Sequence, residues 1–207
     1  MADDWRIRID VDDRVDTLLE RLGLDLSDEA RELARELEDE RLAVSRDDDT
    51  VFVYTDSALQ AQRAKEVVEA ELRELGLTAT TVLEHWLAEE ERWEAAKPPV
   101  RGSGPAEGAP AGEATWEEET LARGFAPWEV RVECESHQQA EELADRLESE
   151  GYGVVRRWSY VIAGTATEEE ARALAERVHG EVEAGGELVY EVPRGNPFAV
   201  FAFHNLF

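Results

Sequence analysis

WRIRIDV at residues 5–11 and WEVRVEC at residues 128–134 open the two halves of the chain in the same way. Trp5, Ile7 and Ile9 alternate with Arg6, Arg8 and Asp10, and Trp128, Val130, Val132 and Cys134 alternate with Glu129, Arg131 and Glu133. A period of two is that of a strand with one dry face, so each stretch is expected as a strand with its tryptophan turned inward. The segments after these two strands repeat as well, and the repeat decides the architecture.

In the first half, an acidic stretch leads to a short helix around Val15 to Leu22. Ser27 then caps a run whose apolar positions Ala30, Leu33, Ala34 and Leu37 have helical spacing. Leu42 and Val44, then Asp47, Asp48 and Asp49, then Val51 to Tyr54 read as two strands joined by a polar turn. Ser57 with Gln60 is a capping box opening a helix striped by Ala61, Ala64, Val68, Leu72 and Leu75, which Gly76 ends. Thr78 to Trp86 supplies a last strand. In the second half, Ser136 with Gln139 opens a helix striped by Ala140, Leu143, Ala144 and Leu147, and Gly151 stops it. Tyr152 to Trp158 and Ser159 to Ala163 form a tight strand pair, and Thr167 with Glu170 opens the helix bearing Ala171, Leu174, Ala175 and Val178. Gly185 and Gly186 lead to a strand over Leu188 to Val192. Each half therefore has the order βαββαβ. The expected fold is α+β: tandem ferredoxin-like repeats, each an antiparallel four-stranded sheet with helices on one face. The expected divisions are a first repeat with an extended helical region at 1–94, a Pro/Gly/Ala-rich acidic linker at 95–126, a second repeat at 127–193 and an aromatic tail at 194–207. Within the linker, Thr115 to Arg123 is expected as a short helix. The bare sheet faces leave two arrangements open, beads on a string or two sheets docked face to face.

The 207 residues carry 49 acidic and 22 basic side chains, a net charge of −27. Such a field repels phosphate backbones, which disfavours nucleic acid as a partner, and it suits a well-solvated surface first, then nucleic-acid mimicry or binding of a basic partner. Cys134 is the only cysteine, so no disulfide can form within the chain, and its phase with Val130 and Val132 marks it as a buried small side chain. No apolar run approaches a membrane span and the first residues hold no leader pattern, so the expected location is cytoplasmic with no membrane partner.

Chemistry-bearing motifs are sparse. His85, His137, His179 and His204 have no ligand spacing, and Asp47 to Asp49 lack the glycine and closing glutamate of a calcium loop, so no metal is expected. Neither phosphate-cradling glycine loops nor a Gly-x-Ser-x-Gly elbow occurs; no cofactor and no catalytic role are expected. Aromatic residues stand out instead. Trp86 and Trp93 lie seven apart in HWLAEEERWE, on one face if that stretch is helical, and Trp158 with Tyr160 flanks a hairpin beside Arg156 and Arg157. In NPFAVFAFHNLF, Phe198, Phe201, Phe203 and Phe207 crowd an almost uncharged end. That end must either fold back on its own chain, as an edge strand or a cover for a sheet face, or dock on a partner.

The strand WEVRVE, the RRWSYVIAG hairpin, HWLAEEERWE and the closing NPFAVF together resemble an uncharacterised group of conserved hypothetical proteins from high-GC bacteria, which carries no assigned activity. QAEELADRLESEGYGVVRRWSYVIAGTATEEEARALAERV is also similar to a sporulation-related repeat (SPOR) domain, a resemblance that implies the same fold and binding to peptidoglycan glycan strands. The function expected is non-enzymatic binding or regulation through protein contacts or self-association, with Phe198, Phe201, Phe203, Phe207, Trp86 and Trp93 as contact residues. The alternatives are a small-ligand-binding regulatory module and a glycan-binding protein of the SPOR kind.

Overall fold

The computed structural model describes residues 4–37, 40–96, 126–179, 187–193 and 195–201. The linker reading beyond residue 96, the helix expected at Thr115 to Arg123, Gly185 and Gly186, Phe203, His204 and Phe207 lie outside them. Among the described residues the fold is α+β, with five helices and two sheets of six and four strands.

The first half runs β1 (Trp5–Val11), α1 (Val15–Leu24), α2 (Asp28–Ala34) with a 3₁₀ turn Arg35–Leu37, β2 (Leu42–Asp47), β3 (Thr50–Thr55), α3 (Ala58–Leu75), β4 (Ala79–Leu87) and β5 (Arg92–Ala95). The second runs β6 (Trp128–Glu133), α4 (His137–Ser149), β7 (Gly153–Arg157), β8 (Tyr160–Thr165), α5 (Glu168–His179), β9 (Glu187–Glu191) and β10 (Phe198–Val200). The central strand orders are β2-β3-β1-β4 and β7-β8-β6-β9, antiparallel throughout, so equivalent strands take equivalent places.

The repetition extends to single hydrogen bonds. Ser57, Ser136 and Thr167 each accept from the backbone N–H three residues on. Gln60, Gln139 and Glu170 reach back to the N–H of the residue before each cap. The Thr55 hydroxyl donates to the Ser57 carbonyl and the Thr165 hydroxyl to that of Thr167, both at 3.2 Å. Each such cap is worth about 1 kcal/mol and fixes where a helix leaves its strand.

Helices cover one face of each sheet. Ile7, Ile9, Leu42, Val44, Val51 and Val53 face Leu18, Leu19, Leu22, Ala64 and Val68 in the first core, and Val130, Val132 and Val161 face Leu143, Leu147, Leu174 and Val178 in the second. The other faces meet each other. Ala43, Tyr54, Ala199 and Phe201 of the large sheet pack on Tyr160 and Ile162 of the small one, with Phe52, Trp93, Val155 and Trp158 around them. The layers are thus helices, sheet, sheet, helices, and the docked arrangement is the one adopted.

Two features depart from expectation. HWLAEEERWE is not helical: it is a hairpin that places Trp86 directly opposite Trp93, with Glu91 turning at φ 47°. The alternation of β4 carries through Trp86, and cross-strand pairing of two large aromatics outweighs the helix preference of the glutamates. The first sheet also has six strands rather than four: β5 extends one edge, and on the other β10 pairs parallel with β2, so that the aromatic end takes the edge-strand alternative stated for it.

Candidate functional site

Three features lie along the seam between the sheets: a buried ionic knot, an aromatic rim and a cleft lined by arginines.

The knot is built on Glu129, on the inward face of β6. Arg41, at the start of β2, donates to both its carboxylate oxygens at 2.6 and 2.8 Å from one nitrogen and at 3.1 Å from Nε. Arg131 donates to the same carboxylate at 2.6 Å. Arg41 and Glu129 have no exposed surface. Burial alone would raise the Glu129 carboxyl, but the two guanidiniums outweigh it and hold the group below the usual carboxylate range. Burial pulls Arg131 below the ordinary arginine value, against the pull of Glu129. The remaining donors hold the tail: Arg41 donates to the Asn196 carbonyl at 2.5 Å and Arg131 to that of Val200 at 2.7 Å. Asn196 in turn donates to the Leu22 carbonyl at 2.8 Å and accepts from the Phe198 N–H at 2.9 Å. A side chain of each unit therefore holds the returning strand in place.

Phe198 and Phe201 are consumed by this arrangement. Phe198 is fully buried in the first core, and Phe201 is buried in the seam with its ring 4.6 Å from Tyr160. Both lie inside their own chain, while Phe203 and Phe207 lie outside the described residues.

Trp86 and Trp93 stand at the opposite, open end of the seam. Their centroids are 5.5 Å apart, and Trp158 joins them at 4.4 and 5.0 Å, with His137 stacked on Trp158 at 5.0 Å. All three tryptophans are half-buried and His137 is exposed. The cluster already binds a cation internally, since the Arg6 guanidinium lies 4.5 Å from the Phe52 ring and 4.3 Å from the Trp93 ring. Exposed Glu89, Glu90, Glu91 and Glu94 flank it. Trp158 occupies the first position of a two-residue turn at φ 54°, where the first half has Asp48 at φ 50°. Aspartate tolerates that left-handed conformation; a bulky aromatic there costs about 1–3 kcal/mol.

The cleft, of about 490 Å³, lies along the edge strand β7 and is lined by Glu40, Arg41, Asp56, Val154, Val155, Arg156 and Arg157. Arg156 pairs with Asp4 at 3.4 Å. Burial raises the Asp4 carboxyl, with the charge of Arg156 opposing it.

Cys134 is buried, as its phase implies, and burial pushes its thiol up to about 11, away from nucleophilic use. No group of His, Cys, Asp and Glu able to hold a metal occurs among the described residues, and no described helix is long and apolar enough to cross a membrane. Of the site residues, sequence reasoning singled out Trp86, Trp93 and Trp158 but not their union. It placed Glu129 and Arg131 on a polar strand face and passed over Arg41 and Asn196, whose only signal is polarity beside apolar strands. No family model, curated protein or solved structure matches the chain, so the reading of these three features rests on their own geometry.

Proposed function

We propose that this chain is a non-enzymatic binding protein, built of tandem ferredoxin-like units, that meets a basic protein partner through the aromatic rim of its inter-sheet seam. The observation that carries the reading is the Trp86–Trp93–Trp158 cluster, half open at the surface and including a tryptophan kept in a strained backbone conformation. Strain of this size persists where the side chain is needed for something other than the turn. Tryptophan and arginine dominate the energetics of protein contacts, and desolvated clusters of them are where contact energy concentrates. The glutamates around the rim and the net charge of −27 set the sign of the partner, because a cationic side chain gains both from the ring faces and from the field. The same field opposes contact between two copies.

Titration with short alternating Arg-Val and Glu-Val peptides, followed by tryptophan fluorescence at low and high salt, tests this. The Arg-Val peptide is expected to bind, more weakly as salt rises, and Trp158→Asn to weaken it about tenfold while the far-UV spectrum stays unchanged. Equal binding of both peptides, or no effect of Trp158→Asn, overturns the reading.

A further inference from the structure

We propose that the cleft along β7 is a binding site for a small zwitterion, an α-amino acid with an aliphatic side chain, with Arg157 taking the carboxylate and Glu40 and Asp56 the ammonium group. Unlike the aromatic rim, this site stands on the lining of the cleft and on the state of one guanidinium.

Arg157 has 8% of its side chain exposed, and its Nε makes no hydrogen bond among the described residues. Its other nitrogens donate to the Arg156 carbonyl at 2.9 Å and approach Glu40 and Asp56 only at 3.4 Å each. A buried guanidinium normally has its donors filled at 2.7–2.9 Å, so Arg157 is an under-compensated charge in the wall of a cleft. Burial correspondingly pulls its pKa down. The neighbouring arginines differ: Arg41 is held by Glu129 at 2.6 Å and by the Asn196 carbonyl at 2.5 Å, and Arg156, whose contacts with Asp4 and the Trp158 carbonyl are also long at 3.4 and 3.2 Å, keeps 19% of its side chain open to water.

The acids occupy the outer part. Glu40 and Asp56 have 36% and 44% of their side chains exposed, against 8% for Arg157, so the cleft runs from negative at its lip to positive in its wall. A simple anion gains from Arg157 but passes two carboxylates; a simple cation meets the lip and then a guanidinium. An α-amino acid carries both charges one carbon apart and matches both. The Nε and Nη edge of a guanidinium donates bidentately to a carboxylate, and with that edge filled the ammonium group lies beside Glu40 and Asp56 at the lip. Val155, two residues before Arg157 and so on the same face of β7, supplies an apolar surface for an aliphatic side chain, while Val154 turns into the second core. About 490 Å³ accommodates such a molecule with its water.

The test uses the full chain and L-leucine, L-isoleucine and L-valine, each titrated singly by calorimetry at neutral pH. At least one is expected to bind, and Arg157→Gln is expected to weaken it tenfold or more. Should Arg157→Gln fail to fold, Asp56→Asn, a change at a largely exposed carboxylate, is expected to weaken the same ligand several-fold while the far-UV spectrum of the free protein stays that of the parent. For the best ligand, the analogue without the amino group and the analogue without the carboxylate are both expected to lose binding. Absence of binding by all three amino acids overturns the proposal. So does retention of affinity by the analogue lacking the amino group, which would make the cleft an anion site, or affinity unchanged in both variants.

Discussion

Glu129, with no exposed surface, balances two arginines, and it is the residue whose ionisation the docked sheets depend on. Its carboxyl is held below the ordinary value in the folded chain and returns to that value when the chain unfolds. Its contribution is therefore complete at pH above the ordinary carboxylate pKa of about 4.3 and is lost as pH falls through the lower, folded value. Asp4 acts with the opposite sign, since its raised pKa makes its ionisation cost stability as pH rises. Glu129→Gln separates the two. It leaves two buried guanidiniums without their counter-charge, and a loss of about 3–5 kcal/mol at neutral pH is expected. The melting temperature of the variant should also fall less steeply than that of the parent on acidification below pH ~4.3. Parallel pH profiles for the two proteins would show that the knot is not coupled to folding. Trp158 presents the converse case at this scale: it costs backbone energy where Asp48 of the first half costs little, and the contacts of its ring with Trp86, Trp93 and His137 offset that cost.

Strand β10 is the element that most changes what the rest can do. Three residues pair with Leu42, Ala43 and Val44, and Phe198 is buried against the helices on one side while Phe201, just beyond, fills the seam on the other. A chain ending at Gly195 would lose the buried phenylalanines, take away the Asn196 and Val200 carbonyls to which Arg41 and Arg131 donate, and bare the edge of β2. Removing Phe198 alone, as Phe198→Ala, is expected to cost about 3–5 kcal/mol. The truncated chain should melt far lower and associate with increasing concentration in sedimentation, because β2 becomes an open apolar edge. A truncated monomer with the parent's melting temperature would mean that β10 is a passenger. The physics of range explains which elements were legible in the sequence. Caps and stripes operate over three or four residues, so Ser57, Ser136 and Thr167 announced their helices. Pairing of β10 with β2 joins residues more than 150 apart, and nothing near Phe198 says which edge it will find. The β4–β5 hairpin escaped because its turn carries Glu91 at a positive φ in place of glycine or asparagine, so the usual turn chemistry was missing. The site was legible only in part for the same reason: Trp86 and Trp93 are visible as a pair, but their meeting with Trp158 and His137 exists only once the sheets dock.

At the scale of the whole molecule, each half has helices on one face of its sheet and an unfinished face on the other, and the two unfinished faces complete each other. The apolar part is small, Tyr54, Ile162, Phe201 and their neighbours, and is interleaved with ionic pairs crossing between halves: Arg41 with Glu129, Arg156 with Asp4, Arg157 with Glu40. Such a seam fixes orientation as well as adhesion, because a slip of one residue along β6 would turn Glu129 away from Arg41 toward an apolar core. The returning strand β10 then makes the first sheet depend on the second half for one of its edges. Separate chains of residues 1–96 and 126–207 should therefore each be poorly behaved alone, the first lacking β10 and the second exposing Tyr160 and Ile162. Mixed, they are expected to form a one-to-one complex with the far-UV spectrum of the intact protein, and Glu129→Gln in the second piece should weaken that complex by more than about a hundredfold, the factor corresponding to about 3 kcal/mol. Two soluble, monomeric halves that ignore each other would mean that covalent linkage, and not the seam, holds the sheets together; the rim and the cleft would then lose the fixed geometry that both binding proposals require.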